Sequence, residues 1–327
     1  MKRYRFALAP LLACAIGVPG SACGQPTAPA TFPARTVRIV VPIAPGGGAD
    51  IQARLFGKKF AESTGQQFII DNRPGAGGVV GAEIAAKSPA DGYTLLFATA
   101  SLAVNASLNK KTALDPVRDL QPVSVVSTSP LVLAVHPSMP ARSVSELVAL
   151  ARRRGGSLNG GSNGTGTTSH LALEMLNQVA KLALVHVPYK GGVPSMTALI
   201  GGEVDFAFTT VLTVQPFIKP GKVRVLAVTT PRRSPALPRL PAMAEVFPGF
   251  EIDNWYAFFV PAGTPRNVVN RLNEEATKAV KSPDVVDYLV RDGGDPVCSA
   301  VDAASAHFRR EAEKYARIVT SGNLRAD

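Results

Sequence analysis

The chain has 327 residues, of which 46% are hydrophobic and 6% aromatic, and its formal net charge is +11 at pH 7. Its three cysteines are too few for a disulfide framework, and no cysteine cluster is present that would hold zinc. Aromatic residues are scarce and no basic stripe is interleaved with them, which argues against nucleic-acid binding. A chain of this length buries a substantial core and suggests two domains, and its basic balance favours anionic ligands.

The first 28 residues have the pattern of an export signal. Basic residues at positions 2, 3 and 5 precede an apolar run from 7 to 18, and small residues follow. The run is too short to span a bilayer, so we expect cleavage near Ala22 or Ala28. The stretch Gly20-Ser-Ala-Cys23 loosely resembles a lipoprotein box, and a lipid anchor at Cys23 is therefore the alternative to a soluble mature chain.

Strands and helices alternate from Val37 onward. An apolar, β-branched strand over residues 37–41 runs into two prolines and three glycines, after which residues 50–63 have a helical pattern that Gly65 ends. The same criteria predict a strand over 68–70, a helix over 77–87 and a strand over 94–98. This βαβαβ order predicts a parallel sheet with helices on both faces, with ligands beyond the carboxyl ends of its strands.

A second alternating unit begins near Pro122, and helices return after about residue 265. We expect the C-terminal helices to cover the first sheet, which gives two lobes joined by crossings near residues 122–128 and 251–255. The predicted fold is therefore α/β, with two lobes, each a sheet flanked by helices, and a ligand cleft between them. The expected division is a signal peptide over 1–28, a first lobe over 29–123 and 255–327, and a second lobe over 124–254. The second unit is predicted to contain strands at 131–135, 158–162, 184–187, 204–208 and 223–228, and helices at 144–153, 171–179 and 194–200; a strand at 255–260 and helices at 265–281, 283–290 and 303–320 follow.

Two glycine-rich segments are the candidate sites for ligand binding or catalysis. The first, Pro45-Gly-Gly-Gly-Ala-Asp50, lacks the last glycine of a dinucleotide fingerprint, and neither it nor residues 161–166 is followed by the lysine of a P-loop. No cofactor is therefore expected. A glycine turn that opens a helix presents free backbone N–H groups and a partial positive charge, which suits an anion.

The second segment, residues 161–170, allows two interpretations. Gly160-Gly-Ser-Asn-Gly164 matches the G-x-S-x-G nucleophile elbow, so a secreted serine hydrolase using Ser162 is one hypothesis. It would need a histidine from among His170, His186 and His307. The other interpretation is a binding loop, in which hydroxyls and glycine N–H groups face a ligand and His170 braces the loop.

Several long motifs resemble the tripartite tricarboxylate transporter receptors, the Bug or TctC-like extracytoplasmic solute-binding proteins. The similar segments cover essentially the whole mature chain in order: 32–50 (FPARTVRIVVPIAPGGGAD), 71–78 (DNRPGAGG), 90–96 (ADGYTLL), 164–170, 187–192 (VPYKGG) and 201–205 (GGEVD). One departure is Gly160-Gly161, where the family more often has an aromatic or other bulky residue before the serine; the smaller residue is expected to enlarge the pocket.

The resemblance implies a periplasmic, type II-like binding protein that is not an enzyme and that closes on a small carboxylate by hinge motion. It also implies delivery to a permease of one large and one small membrane subunit, with the receptor a monomer. A scaffold or sensory role without a small ligand is the remaining alternative. The expected ligand-binding residues are Ala44, Pro45, Gly46, Gly47, Gly48, Ala49, Asp50, Ser101, Ser162, Gly164, Thr165, Gly166, Thr167, His170, Tyr189 and Asp205.

Overall fold

A computed structural model describes residues 32–108, 112–155, 157–235, 237–322 and 324. The predicted signal peptide and Cys23 lie outside the described residues. No helix among the described residues is long and apolar enough to cross a membrane.

The first sheet is the predicted parallel βαβαβ unit. Strand β1 pairs in parallel with β2 on one side and with β3 on the other. Two glycines, Gly77 and Gly78, have φ values of +63° and +102°, so the second helix begins after them and not at residue 77 as predicted. The elements are β1 (Val37–Val41), α1 (Gly48–Thr64), β2 (Phe68–Asn72), a 3₁₀ turn (Ala76–Gly78), α2 (Val79–Ala86) and β3 (Thr94–Thr99).

A long strand, β4 (Leu120–Val135), connects this sheet to the next one. Only residues 131–135 were predicted as strand, because the earlier half contains two prolines and several serines. Those serines are buried and bonded: the Ser127 hydroxyl donates to Gln52 Oε1 at 2.9 Å, and Ser124 donates to the Ser299 carbonyl. Two short helices before β4, α3 (Ser101–Leu108) and α4 (Pro116–Asp119), were also not predicted.

The second sheet is built from β4 and the strands that follow it. Strand β5 pairs in parallel with β6 and β7, while β7 and β8 pair antiparallel with the end of β4. Helix α8 follows β7 without a turn and contains Pro216, and the sequence pattern did not reveal it. The elements are α5 (Val144–Arg153), β5 (Asn159–Ser162), α6 (Thr168–Ala180), β6 (Val185–Pro188), α7 (Gly192–Gly201), β7 (Phe206–Thr210), α8 (Val211–Ile218), β8 (Arg224–Val228) and a 3₁₀ turn (Met243–Glu245).

The chain then returns to the first sheet, as expected. Strand β9 lies between β3 and β4 and is antiparallel to both. The strand order through the described residues is β2-β1-β3-β9-β4-β7-β5-β6, with β8 and β10 also paired to β4. The last elements are β9 (Asp253–Pro261), α9 (Arg266–Val280), α10 (Pro283–Arg291), β10 (Asp295–Pro296) and α11 (Val301–Ser321).

Strand β4 changes sheets at one point. Through Pro130 it pairs with β9, and from Leu131 it pairs with β7 and β8. This position lies beside Asp253, the first residue of β9, so both chain crossings occur close together. The division into two lobes at residues 123/124 and 254/255 stays a prediction, since it concerns relative motion.

Candidate ligand-binding site

The first glycine turn leads from the carboxyl end of β1 into α1. Gly46 has a φ of +85°, a conformation that favours glycine, and Gly47 caps α1 without a side-chain hydrogen bond. A Cβ placed on Gly48 would lie 3.2 Å from the Tyr256 hydroxyl, so this backbone is packed closely against β9. The first N–H groups of α1 have no carbonyl partner within the helix, and its N-terminus therefore favours an anion.

Asp50 holds this turn in place from inside. This residue is 3% exposed; one carboxylate oxygen accepts the Gly46 N–H at 2.9 Å, and the other accepts a hydrogen bond from Asn72 Nδ2 at 2.9 Å. The Arg54 guanidinium contacts the same carboxylate at 2.9 Å. Burial by itself would raise the pKa of Asp50, but the bonds from Arg54, Gly46 and Asn72 hold its pKa below the usual value. The ionised Asp50 carboxylate therefore stabilises the turn through these hydrogen bonds.

A second glycine cluster, residues 75–78, lies between the first turn and the loop of the other sheet. A Cβ placed on Gly78 would lie 3.5 Å from Cβ of Pro42, the residue after β1. A Cβ placed on Gly77 would lie 2.8 Å from the Thr165 carbonyl oxygen, which is too close for any other residue. The three glycine-rich segments therefore meet at the carboxyl ends of β1 and β5.

The loop after β5 is held by its own hydroxyls. Thr167 Oγ1 donates to the Gly164 carbonyl at 2.6 Å and accepts the His170 N–H, which caps α6. Ser169 Oγ accepts the Asn163 N–H at 2.9 Å. These bonds use Thr167, which the sequence suggested for ligand contact, and they hold the shape of the loop.

Two stacked histidines support this loop. The rings of His170 and His186 are 3.9 Å apart and nearly parallel, and Ser162 Oγ lies 2.6 Å from His186 Nε2. The Gly166 N–H donates to His170 Nδ1 at 3.3 Å, which assigns the ring proton to Nε2, on the side of Glu174. Burial, with a smaller contribution from His186, lowers the pKa of His170 to about 3. Burial also raises the pKa of Glu174.

Ser162 is poorly placed for catalysis. Its side chain is 0% exposed, and its oxygen already accepts the Gly164 N–H at 3.1 Å while facing His186. A nucleophile must reach its substrate, whereas this hydroxyl is enclosed by its own loop. Among the described residues there is also no group of three or more His, Cys, Asp or Glu side chains that could hold a metal.

Other predicted site residues lie at different positions. Ser101 begins α3, beside the second glycine cluster. Tyr189 contributes backbone next to the loop, its N–H donating to the Ser162 carbonyl, while its ring packs with the apolar cluster beneath α7. Asp205 accepts the N–H of Asn159, the first residue of β5, so it lies at the opposite end of the sheet from the loop. We therefore do not assign Asp205 to the site.

Two asparagines that sequence analysis did not single out hold the site together. Asn72, within one of the quoted motifs, donates to both the Ile43 carbonyl and Asp50. Asn105 lies outside every motif and connects segments that are far apart in sequence. The motif at residues 71–78 could have indicated Asn72, but no local sequence pattern indicates Asn105.

Comparisons with known proteins identify relatives over most of this chain. The model of the tripartite tricarboxylate transporter family receptor matches residues 52–324. A UPF0065 protein from a Pseudomonas species is 38% identical over 90% of this chain and 89% of its own length, and Protein BugT of Bordetella pertussis is 35% identical over 90% and 91%.

Solved structures extend the likeness to the whole fold. An R. palustris protein with adipate has a TM-score of 0.84 and 33% identity, covering 90% of this chain and 99% of its own. MatC from Rhodopseudomonas palustris, with bound malate, has a TM-score of 0.81 and 30% identity, covering 88% and 100%. The periplasmic binding protein BugD has a TM-score of 0.83 and 28% identity, covering 90% and 99%.

The fold and the paired glycine loops define a substrate-binding receptor of the periplasmic binding-protein class. The chain belongs to the tripartite tricarboxylate transporter receptor family. The predicted fold class and family are confirmed. Because the family and its structural neighbours are receptors and not enzymes, the hydrolase hypothesis is wrong.

Proposed function

We propose that this protein binds a small organic carboxylate in the periplasm and delivers it to a two-subunit tripartite permease. Two of its structural neighbours were solved with adipate and malate, which are both dicarboxylates. A dicarboxylate of four to six carbons is therefore the ligand class we assign to this chain.

The observation that carries the proposal is that the segments leading into two helices both contact the second glycine cluster. Helix α1 opens from the first glycine turn and α6 opens from the loop after β5, and the second glycine cluster contacts both segments. Each N-terminus presents backbone N–H groups and a partial positive charge. Carboxylate recognition by backbone requires no positively charged side chain.

The residues of these segments have distinct roles in the proposal. The backbone of residues 44–49 and of residues 164–166 contacts the ligand, while Asp50 and His170 hold those two segments in shape. The sheet change in β4 at Pro130 and Leu131 supplies the bending point between the lobes. Closure about this point traps the ligand and presents a loaded monomer to the permease.

Binding is tested with the full-length exported protein, purified, unfolded and refolded to remove any bound acid. Adipate, malate, succinate and butyrate are titrated by calorimetry and by thermal unfolding. A dicarboxylate at 100 times its dissociation constant should add about 2.7 kcal/mol to the free energy of unfolding, whereas butyrate, with one carboxylate, should bind more weakly.

Two results would contradict the proposal. One is a refolded protein that binds none of the acids and whose native preparation releases no acid on denaturation, as judged by mass spectrometry. The other is binding of butyrate as tightly as of adipate, which would remove the dicarboxylate assignment. Fractionation of the producing cells checks the location, since the receptor should be released with the periplasmic contents.

A further inference from the structure

One buried side chain joins the second glycine cluster to the loop after β5. Asn105 lies on α3 and is 4% exposed. Its Nδ2 donates to the carbonyl oxygens of Gly77 at 3.0 Å, Ser101 at 2.9 Å and Gly166 at 3.0 Å. These three carbonyls belong to the second glycine cluster, to the start of α3 and to the loop after β5.

Asn105 lies so close to Gly77 and Gly166 that neither position has room for a side chain. A Cβ placed on Gly166 would lie 2.6 Å from Asn105 Oδ1, and one placed on Gly77 would lie 3.0 Å from Nδ2. Both glycines also have positive φ values, +77° and +63°, which other residues rarely adopt. The glycines and the asparagine therefore form one fitted contact between distant segments.

This contact crosses from one predicted lobe to the other. Helix α3 packs against α11, and both Asn105 and Gly77 lie within the first lobe. Gly166 lies in the second lobe, in the loop that opens α6. We infer that Asn105 is a latch that stabilises the closed form and sets the spacing between the second glycine cluster and the loop after β5, beside the carboxylate site; this inference rests on the proposed function.

The number of N–H hydrogens on the Asn105 amide explains how its contact with Gly166 can break. A side-chain amide has two N–H hydrogens, and here three carbonyls share them, so one hydrogen is bifurcated. When the lobes separate, the bond to Gly166 is lost, but Ser101 and Gly77 still occupy both hydrogens. The Asn105 amide is then not left without an acceptor, and breaking its contact with Gly166 therefore costs only the net value of one hydrogen bond.

The test compares Asn105→Ala with a matched control, Asn273→Ala. Asn273 Nδ2 also joins two carbonyls from separate segments, Val123 and Ser299 at 2.8 Å each, but all three residues lie in the first lobe. Both variants should lose similar thermal stability. Only the latch variant should change the distance between lobes and the affinity for adipate or malate.

The lobe distance is measured by pulsed electron paramagnetic resonance on the full-length protein. Spin labels are attached at Lys58→Cys on α1 and Thr197→Cys on α7, both exposed positions, after Cys14, Cys23 and Cys298 are replaced by serine. Without ligand, Asn105→Ala should shift the distribution toward longer distances, and with saturating adipate the shift should shrink. The dissociation constant should rise about fivefold, as loss of one net hydrogen bond predicts.

The outcomes separate the latch from the proposed function. If wild type binds a dicarboxylate but Asn105→Ala changes neither distance nor affinity, the latch is wrong and the receptor function stands. If no acid binds but the distances shift only in Asn105→Ala, the latch stands and the ligand assignment fails. If Asn273→Ala has the same effect as Asn105→Ala, the contact is merely structural and the latch is again wrong.

Discussion

Replacing His170 by asparagine should remove a specific part of the protein's acid sensitivity. In the native protein His170 Nδ1 accepts the Gly166 N–H, and its ring is buried against His186. Asparagine can place Oδ1 where Nδ1 lies, so the bond to the loop is kept while the titrating ring is lost. The comparison therefore isolates protonation from loop geometry.

The size of the expected pH effect on the free energy of unfolding follows from the lowered pKa of His170. The pKa of His170 falls from 6.5 to about 3 in the folded protein, so the folded state resists a proton that the unfolded state accepts. The contribution of neutral, buried His170 to the free energy of unfolding is fully present above the pKa of histidine in the unfolded chain. It is lost as the pH falls below that value. Between about pH 7.5 and about pH 5 the loss is about 2 kcal/mol.

Other groups titrate in the opposite sense. Burial raises the pKa of Asp253 and of Asp292 to about 7, so these carboxyls bind protons more readily in the folded state and stabilise it as the pH falls. They are present in both proteins, and their contributions cancel when wild type is compared with His170→Asn. Only the difference between the two pH profiles bears on His170.

The assay is urea unfolding of both proteins at several pH values, followed by circular dichroism. The free energy of unfolding of wild type should fall relative to His170→Asn by about 2 kcal/mol between about pH 7.5 and about pH 5. Above pH 7.5 the difference should be constant, which serves as the internal control. Parallel profiles through pH 5 would show that His170 is not held neutral by the fold.

Three further substitutions test the site and the core. Ser162→Ala removes the oxygen that faces His186 and accepts the Gly164 N–H, so it should lower the free energy of unfolding in urea by about 1–3 kcal/mol. Ester hydrolysis should stay at the buffer rate for both proteins, and wild-type turnover that disappears in the variant would contradict this expectation. A Cβ placed on Gly47 would lie 2.8 Å from Ile43 Cδ1, so Gly47→Val forces Ile43 or the turn before α1 to shift. This variant should weaken dicarboxylate binding about tenfold by calorimetry, whereas unchanged affinity would move the site elsewhere. Phe258→Ala empties a position that is 0% exposed among three other phenylalanines and should cost about 3–5 kcal/mol, and a loss below about 1 kcal/mol would contradict this packing.

Local pattern was enough to predict the repeating unit of the fold. The first strand, its glycine turn and helix α1 follow from β-branched residues, glycines and an apolar helical face within about 30 residues. Gly65 ends α1 in the left-handed conformation, as a glycine after a helix predicts. These elements depend on neighbours in sequence, which is why the sequence sufficed.

Strand β4 shows what local pattern could not predict. Its first half contains prolines and serines that indicate a loop, but β9, distant in sequence, pairs with it and Gln52 and Ser299 satisfy its hydroxyls. A buried serine is tolerated only when a partner is present, and that partner is known only from the tertiary structure.

The candidate site divides in the same way. The sequence by itself determined where the glycine turns lie and that each opens a helix, because backbone freedom and helix ends are local properties. Tertiary structure decided that Ser162 faces His186 inside the loop, and that Asp205 lies at the far end of its sheet. It also decided that Asn105 joins segments 28 and 61 residues away, because contacts of that kind exist only once the two sheets are in place.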